Sequence, residues 1–155
     1  PEPPLESVLI ANRGEIACRV ITTARKMGMR TIAVYSQPEA LARHVQLADE
    51  AICVGGPNSS ESYLDMDNVC AAIEATGAKS VHPGYGFLSE NSVFAERVEA
   101  MGVAFVGPPS GAIDSMGDKI KSKQIAIDAG VNCIPGFQGV IQDEDDACKV
   151  AREGG

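Results

Sequence analysis

Two lysines stand one helical turn apart in the stretch MGDKIKSK, residues 116 to 123. If Asp118 caps a helix, Lys119 lies in its first turn, where the positive end of the helix dipole disfavours a cation. Lys119 and Lys123 then share one face, and like charges at that spacing destabilise a helix. A bound anion such as a phosphate would relieve both penalties. The alternative is a solvated lysine-rich helix, which suits the surface of an acidic protein.

The stretch HPGYGFLSEN, residues 82 to 91, places a tyrosine between two glycines. It follows a predicted strand, and open parallel sheets bind ligands beyond the carboxyl ends of their strands. Gly84 and Gly86 permit a turn with unusual backbone dihedrals, which would hold Tyr85 over this edge. A glycine-rich turn whose tyrosine seals a core end or an interface explains the same residues equally well.

The stretch ANRGEIA, residues 11 to 17, follows the first predicted strand, where a dinucleotide-binding domain carries the pattern GxGxxG. Only Gly14 of that pattern is present, so the backbone cannot approach a pyrophosphate in the usual way. The stretch therefore argues against the binding of NAD or FAD at this turn. Local hydrogen bonds and dipole matching at a helix start account for Asn12, Arg13 and Glu15.

The composition excludes several classes of site and partner. The chain has 155 residues, which suits one ordinary domain, and no apolar run approaches the length of a transmembrane helix. A net charge of −8 argues against binding to nucleic acid. The five cysteines show no CxxC spacing and there are only two histidines, so we expect no zinc site. Scattered free thiols predict a reducing, intracellular compartment.

Short β-branched runs alternate with helical patterns along most of the chain. The alternation predicts a parallel sheet with helices on both faces, which is a three-layer α/β/α sandwich. The predicted strands cover residues 7–11, 31–36, 50–55, 79–83 and 103–107.

Capping residues delimit the helices that connect these strands. The first helix is predicted to end at Gly28, and the second to run from an N-cap at Asp65 to Gly77. The third is predicted to follow Ser89 as its N-cap and to end before Gly102. These helices supply the outer layers of the sandwich.

A short helix over residues 41–48 is predicted to turn Leu41 and His44 inward, which makes His44 a packed residue rather than a ligand.

The residue pattern of the chain changes after the fifth strand. The stretch GPPSG has a composition typical of a loop, and DKIKSKQIAIDAG predicts a helix outside the sheet. We therefore expect a domain edge near Pro108.

Six stretches together resemble the amino-terminal part of the biotin carboxylase component of biotin-dependent carboxylases. They are IANRGEIACRV (10–20), HVQLADEAICVG (44–55), SYLDMD (62–67), HPGYGFLSEN (82–91), FVGP (105–108) and MGDKIKSK (116–123). The resemblance covers nearly the whole chain, from residue 8 to residue 152. IPGFQGV and the acidic helix start after it are most similar to the propionyl-CoA carboxylase branch of the family.

The resemblance implies a pre-ATP-grasp, Rossmann-like domain over residues 1–108. Over residues 109–155 it implies linker helices and the start of an ATP-grasp domain that is cut short. In this family ATP and bicarbonate form carboxyphosphate, and carbon dioxide then passes to N1′ of a biotin on a carrier domain. The implied partners are the remaining ATP-grasp domains of the same polypeptide, the carrier domain and a carboxyltransferase subunit, as in an acyl-CoA carboxylase. Neither nucleic acid nor a membrane is an expected partner.

Two family sites map onto residues of this sequence. Lys119 matches a family lysine that contacts ATP phosphates, while Tyr85 and Gly86 match a loop that borders the biotin and bicarbonate pocket. The family's Mg²⁺-binding carboxylates and its remaining catalytic residues fall beyond residue 155. We therefore expect no catalytic or metal-binding residue in this chain, and no activity from these residues alone. The implied compartment is the mitochondrial matrix in a eukaryote and the cytoplasm otherwise.

Three alternatives belong to other functional classes. Another ATP-grasp ligase would share the sheet but should lack HPGYGFLSEN. A dinucleotide-binding oxidoreductase domain is disfavoured by the missing GxGxxG pattern, and titration with NADH would test it. A non-catalytic interaction module is supported by chain length alone.

Overall fold

A computed structural model describes residues 5–134, 137, 139 and 141–153. The chain divides into two compact units, Pro1–Ile113 and Asp114–Gly155. The predicted domain edge at Pro108 lies a few residues before this division. The first four residues, the two terminal glycines and part of IPGFQGV lie outside the described residues.

Within its described residues, the first unit is built on a parallel sheet of five strands. The strands are β1 (Ser7–Ile10), β2 (Arg30–Ser36), β3 (Glu50–Gly55), β4 (Ser80–His82) and β5 (Ala104–Phe105). Their spatial order is β3-β2-β1-β4-β5, and each neighbouring pair is parallel. All five predicted strands are confirmed, although the first, fourth and fifth are shorter than predicted. The fifth strand ends early because the Gly107 N–H bonds back to the Phe105 carbonyl at 3.0 Å, although Val106 still donates to the Val81 carbonyl at 2.8 Å.

The α-helices fill the connections and continue beyond the sheet. None of those in the described residues is long and apolar enough to cross a membrane. They are α1 (Gly14–Lys26), α2 (Arg43–Leu47), α3 (Met66–Thr76), α4 (Ser92–Ala100), α5 (Ser110–Gly117), α6 (Lys119–Asp128) and α7 (Glu144–Glu153).

Two apolar clusters lie on opposite faces of the sheet. Side chains alternate along β1, as the pleat requires, so Val8 and Ile10 pack with α1 while Leu9 packs with α3 and α4. Both faces of the central strands are therefore covered, which is why β1 reads as an unbroken apolar run. The predicted three-layer α/β/α sandwich is confirmed.

Most of the predicted helix ends are confirmed. The carboxylate of Asp65 accepts the Asn68 N–H at 3.1 Å and starts α3. Gly77 follows that helix with a φ of 62°, and Gly28 follows α1 with a φ of 77°. These left-handed dihedrals explain why glycine occupies both positions.

Two local predictions are wrong. The N-cap of α4 is Asn91, whose side chain accepts the Phe94 N–H at 2.9 Å, and not Ser89. Ser89 instead lies in a turn, where its N–H bonds to the Gly86 carbonyl at 2.9 Å. Leu41 is 84% exposed because α2 begins only after it, whereas His44 is buried as predicted.

The second unit begins inside α5 and continues through α6. Asp118 is the N-cap of α6, because its carboxylate accepts the N–H groups of Ile120 at 2.9 Å and Lys121 at 2.7 Å. The predicted helix outside the sheet is confirmed. Lys119 therefore occupies the first turn of α6.

Candidate functional site at the carboxyl edge of the sheet

The strand order creates a reversal point at β1. This strand lies between β2 and β4, and such a reversal opens a crevice at the carboxyl edge where α/β proteins bind ligands. Here the crevice is filled by Asn12, the second residue after β1, which is only 3% exposed. Its Nδ2 donates to the carbonyls of Pro83 at 2.9 Å and Tyr85 at 2.7 Å. A dinucleotide pyrophosphate would have to displace this side chain.

The expectation that local hydrogen bonds explain Asn12 and its neighbours needs correction. Among the residues that the structure describes, Asn12 makes one local bond, the one that its Oδ1 accepts from the Arg13 N–H at 2.9 Å. Its other partners lie 71 and 73 positions away along the chain. Arg13 also reaches a distant group, the Glu39 carboxylate, at 2.9 Å. A polar side chain directly after a buried strand at the reversal point is the signal that could have revealed these contacts.

The loop after β4 has a backbone that glycine adopts readily. Gly84 and Gly86 both have a φ of 65°, and Phe87 has a φ of 41°. The Nδ1 atom of His82 accepts the Gly84 N–H at 3.0 Å. Burial, together with the charge of Arg19, lowers the pKa of His82, and this favours the neutral imidazole that can accept that bond.

Tyr85 projects from this loop. It is 64% exposed, so the interpretation that it seals the end of the core is wrong. The interpretations that remain for its ring are contact with a ligand and contact with a partner surface.

Tyr63 closes the core end instead, a role that the sequence did not reveal. The residue is 2% exposed, and its ring stacks on Phe87 with centroids 5.0 Å apart. Its hydroxyl donates to Glu39 Oε2 at 2.7 Å and accepts the Ser36 N–H at 3.1 Å. Burial, together with the Glu39 carboxylate, raises the pKa of Tyr63 to about 12. The phenol therefore remains protonated as a donor.

Glu39 is the acceptor at the centre of this network. Burial raises its pKa, but hydrogen bonds from Tyr63, Ser36 and Arg13 outweigh that effect and lower the pKa below its ordinary value. The Arg13 guanidinium also lies 5.7 Å from the centroid of the Tyr63 ring, within the range of a cation–π contact. The network thus fixes the ends of β1 and β2 next to the Tyr85 loop.

A separate concavity of about 640 Å³ lies in the second unit. Lys119 and Lys123 both contribute to its lining, as their spacing of four residues predicts, and Phe137 forms another part. Lys121 is not in the lining, and its Nζ lies 3.9 Å from the Asp114 carboxylate. The Asp118 carboxylate at the start of α6 offsets part of the dipole penalty on Lys119, so the like-charge pair is the stronger reason to expect an anion.

The described residues offer no cluster of three His, Cys, Asp or Glu side chains arranged to hold a metal ion. All five cysteines are free, and two of them, Cys53 and Cys148, are exposed. Tyr85 and Gly86 belong to the first unit and Lys119 to the second.

Comparison with known sequences assigns the fold to a family. The family described as "Biotin carboxylase, N-terminal domain" matches residues 4–113, which include the complete sheet. The chain belongs to the biotin carboxylase N-terminal domain family. Five of the six sequence stretches lie within this match, and the resemblance to the family is confirmed.

Similar proteins include chains of acyl-CoA carboxylases. This chain is 62% identical, over 94% of its length, to the propionyl-CoA carboxylase alpha chain of Ruegeria pomeroyi. It is 54% identical, over 98% of its length, to the mitochondrial propionyl-CoA carboxylase alpha chain of Homo sapiens. In both cases it covers 21% of the relative. The chain thus spans about a fifth of the length of these relatives.

Solved biotin carboxylases share the same fold. One is the biotin carboxylase domain dimer of Hydrogenobacter thermophilus 2-oxoglutarate carboxylase in complex with MgADP, ADP and bicarbonate, with a TM-score of 0.90 and 44% identity. Another is the complex of Campylobacter jejuni biotin carboxylase with β-γ-ATP, with a TM-score of 0.91 and 44% identity. Each comparison covers 97% of this chain, and 33% and 34% of the two solved chains respectively.

Proposed function

We propose that this chain forms the amino-terminal part of a biotin carboxylase, an ATP-dependent ligase that uses bicarbonate to carboxylate biotin on a carrier domain. The first unit would be the pre-ATP-grasp domain, and the second would belong to the start of the ATP-grasp region. The observation that carries the proposal is the exposed Tyr85–Gly86 loop at the carboxyl edge of a sheet whose family includes a solved member in complex with ADP and bicarbonate.

The proposed partners are those that the family resemblance implies. They are the remaining ATP-grasp domains of one polypeptide, a biotin carrier domain and a carboxyltransferase subunit, within an acyl-CoA carboxylase. Identity to propionyl-CoA carboxylase alpha chains favours propionyl-CoA as the final acceptor. The mitochondrial matrix would be the compartment in a eukaryote, and the name of the human relative describes that protein as mitochondrial. Mg²⁺ would be bound by residues in a region of the relatives that this chain does not cover.

Lys119 is the proposed contact for ATP phosphates. Two ammonium groups line the concavity of the second unit, and the carboxylate of Asp118 is occupied by helix N–H groups. This set of donors fits a polyphosphate better than a cation. Lys119 can offer three N–H donors and a full charge, which would stabilise the negative charge that develops as a phosphoryl group is transferred.

Tyr85 and Gly86 are the proposed border of the biotin and bicarbonate pocket. The exposed aromatic face of Tyr85 suits a ring-shaped ligand. A Cβ on Gly86 would meet open space, so the missing side chain leaves the backbone accessible to a ligand. Tyr85→Ala removes this ring and should raise the KM for free biotin in the intact carboxylase. Because the ring is exposed, the substitution should not lower the Tm.

Lysine variants of the intact carboxylase test the proposal. Lys119→Gln removes the charge but keeps a good helix former, so α6 should persist. The loss of one charge-assisted hydrogen bond should raise the KM for ATP by about tenfold or more in bicarbonate-dependent phosphate release. Lys121→Gln is the matched control, because Lys121 lies on the same helix outside the concavity.

Three outcomes of this experiment are informative. A selective effect of Lys119→Gln supports the assignment. If both variants have the KM of the wild-type enzyme for ATP, Lys119 is a solvated surface lysine and the assignment is wrong. An intact wild-type chain that cleaves no ATP in response to bicarbonate would favour a non-catalytic interaction module.

A further inference from the structure

The Asn12 side chain connects the ends of two adjacent strands. It follows β1, and both of its Nδ2 contacts reach the loop after β4, at the Pro83 carbonyl (2.9 Å) and the Tyr85 carbonyl (2.7 Å). Its Oδ1 accepts the Arg13 N–H at 2.9 Å. An amide has two donor hydrogens, so the donor capacity of this buried side chain is fully used by the loop.

Gly84 lies directly against the same side chain. A Cβ at this position would stand 2.7 Å from Asn12 Nδ2 and 3.0 Å from its Cγ. At Gly86, which has the same φ, a Cβ would meet open space. Gly86 is therefore needed for its dihedral angle alone, whereas Gly84 also leaves the room that Asn12 occupies.

Side chains from two strand ends hold three consecutive residues of the loop. Asn12 holds the carbonyls of Pro83 and Tyr85, and His82 holds the Gly84 N–H at 3.0 Å. The Tyr85 ring is mostly exposed, and these bonds fix the backbone from which it projects. A loop fixed before a ligand arrives costs less ordering entropy on binding.

We propose that Asn12 is a positioning residue for the biotin and bicarbonate pocket. By holding the two carbonyls, it sets the direction in which the Tyr85 ring and the Gly86 backbone face the ligand. This inference rests on the proposed function, in which Tyr85 and Gly86 border that pocket. Asn12 itself is buried and acts through the loop, so it is not a catalytic residue.

Asn12→Ala and Asn12→Leu in the intact carboxylase separate hydrogen bonding from volume. Alanine removes both, while leucine keeps a branched side chain of similar size but cannot donate. We expect either variant to raise the KM for free biotin by about tenfold and to leave the KM for ATP unchanged. Amide hydrogen exchange should accelerate in the segment 83–88 of both variants, a readout that does not depend on activity.

Asp65→Ala is the matched control. It removes a side-chain bond to the backbone elsewhere in the same unit, where Asp65 accepts the Asn68 N–H at the N-cap of α3. It should lower stability while leaving the biotin KM and the exchange of the loop unchanged. If the Asn12 variants fail to fold, Gly84→Ala tests the same contact with Asn12 in place. Its methyl group would displace the Asn12 amide, so it should accelerate exchange in the same segment more than Gly86→Ala, which imposes the same strain at a φ of 65° without meeting Asn12.

The outcomes distinguish this inference from the function on which it rests. If the wild-type enzyme is active and the Asn12 variants show unchanged loop exchange, or equal rises in both KM values, Asn12 only stabilises the fold and the inference is wrong. An intact wild-type chain without bicarbonate-dependent ATP cleavage would overturn the proposed function and, with it, the role in biotin binding.

Discussion

At the scale of single residues, two tyrosines of one unit have opposite environments. The Tyr63 hydroxyl is buried between the Glu39 carboxylate and the Ser36 N–H, whereas the Tyr85 ring is exposed. One tyrosine therefore serves stability, and the other is free to serve binding. The same chemical change at both positions separates these roles.

Tyr63→Phe should lower the free energy of unfolding by about 1–3 kcal/mol, because the buried Ser36 N–H loses its acceptor and Glu39 loses a donor. Tyr85→Phe is the control and should change stability by less than about 0.5 kcal/mol. Chemical denaturation measures both values. Equal losses in the two variants would show that the Tyr63 network contributes nothing particular to stability.

His44 makes stability depend on pH near neutrality. Its Nε2 donates to the Val34 carbonyl at 3.2 Å, and its Nδ1 has no hydrogen-bond partner among the described residues. Burial lowers the pKa of His44 below its ordinary value of 6.5. The unfolded chain therefore binds this proton more readily than the folded chain, so the free energy of unfolding should fall as the pH drops below 6.5.

His44→Gln tests this dependence by denaturation at a series of pH values from about 8 to about 5. Glutamine can still donate to the Val34 carbonyl but does not titrate, so the decline should become shallower. A smaller decline should persist because the pKa of His82 is also lowered. Stabilisation by the Glu39 carboxylate, whose pKa is lowered from 4.5, should be lost only at more acidic pH. An unchanged slope in the variant would contradict the assignment to His44.

At the scale of secondary-structure elements, glycine has different effects at different positions. Gly77 follows α3 with a φ of 62°, and a Cβ there would meet open space. Gly111 lies within α5, and a Cβ there would also meet open space. Substitution by alanine at these two positions therefore isolates the backbone dihedral from packing.

Gly77→Ala should destabilise the first unit by about 1 kcal/mol, because alanine does not readily adopt the left-handed conformation. Gly111→Ala should leave stability unchanged or raise it by up to about 1 kcal/mol, because Gly111 lies in the first turn of α5 and alanine loses less conformational entropy than glycine when it becomes helical. Thermal unfolding of the two variants gives the comparison. A loss of stability at Gly111 equal to that at Gly77 would exclude the dihedral explanation.

At the scale of the whole molecule, all the described strands and both apolar clusters lie within the first unit. We therefore expect a chain that ends at Ile113 to fold alone and to unfold in one cooperative transition. Tyr63→Phe should lower its stability by the same amount as in the longer chain. Circular dichroism during thermal unfolding measures both effects. A non-cooperative transition would mean that the sheet needs residues beyond Ile113.

Much of this architecture was predictable because its signals are local. Unbroken apolar runs, helical spacing and the caps Asp65 and Asp118 each involve residues close together in the chain, and the strands and most helix boundaries followed from them. The two wrong predictions, at Ser89 and Leu41, also concern local structure. Ser89 lies in a turn before α4, and α2 begins only at Arg43, after Leu41.

The candidate sites divide along the same line. The lysine pair of α6 and the glycine-rich loop around Tyr85 could be recognised in the sequence, because each is a pattern of residues only a few positions apart. The contacts of Asn12 with the Pro83 loop, and of Tyr63 with Glu39, join residues far apart in the chain. Only the strand order β3-β2-β1-β4-β5 brings their carboxyl ends together, because the pairing of β1 with both β2 and β4 is set by packing across the whole sheet.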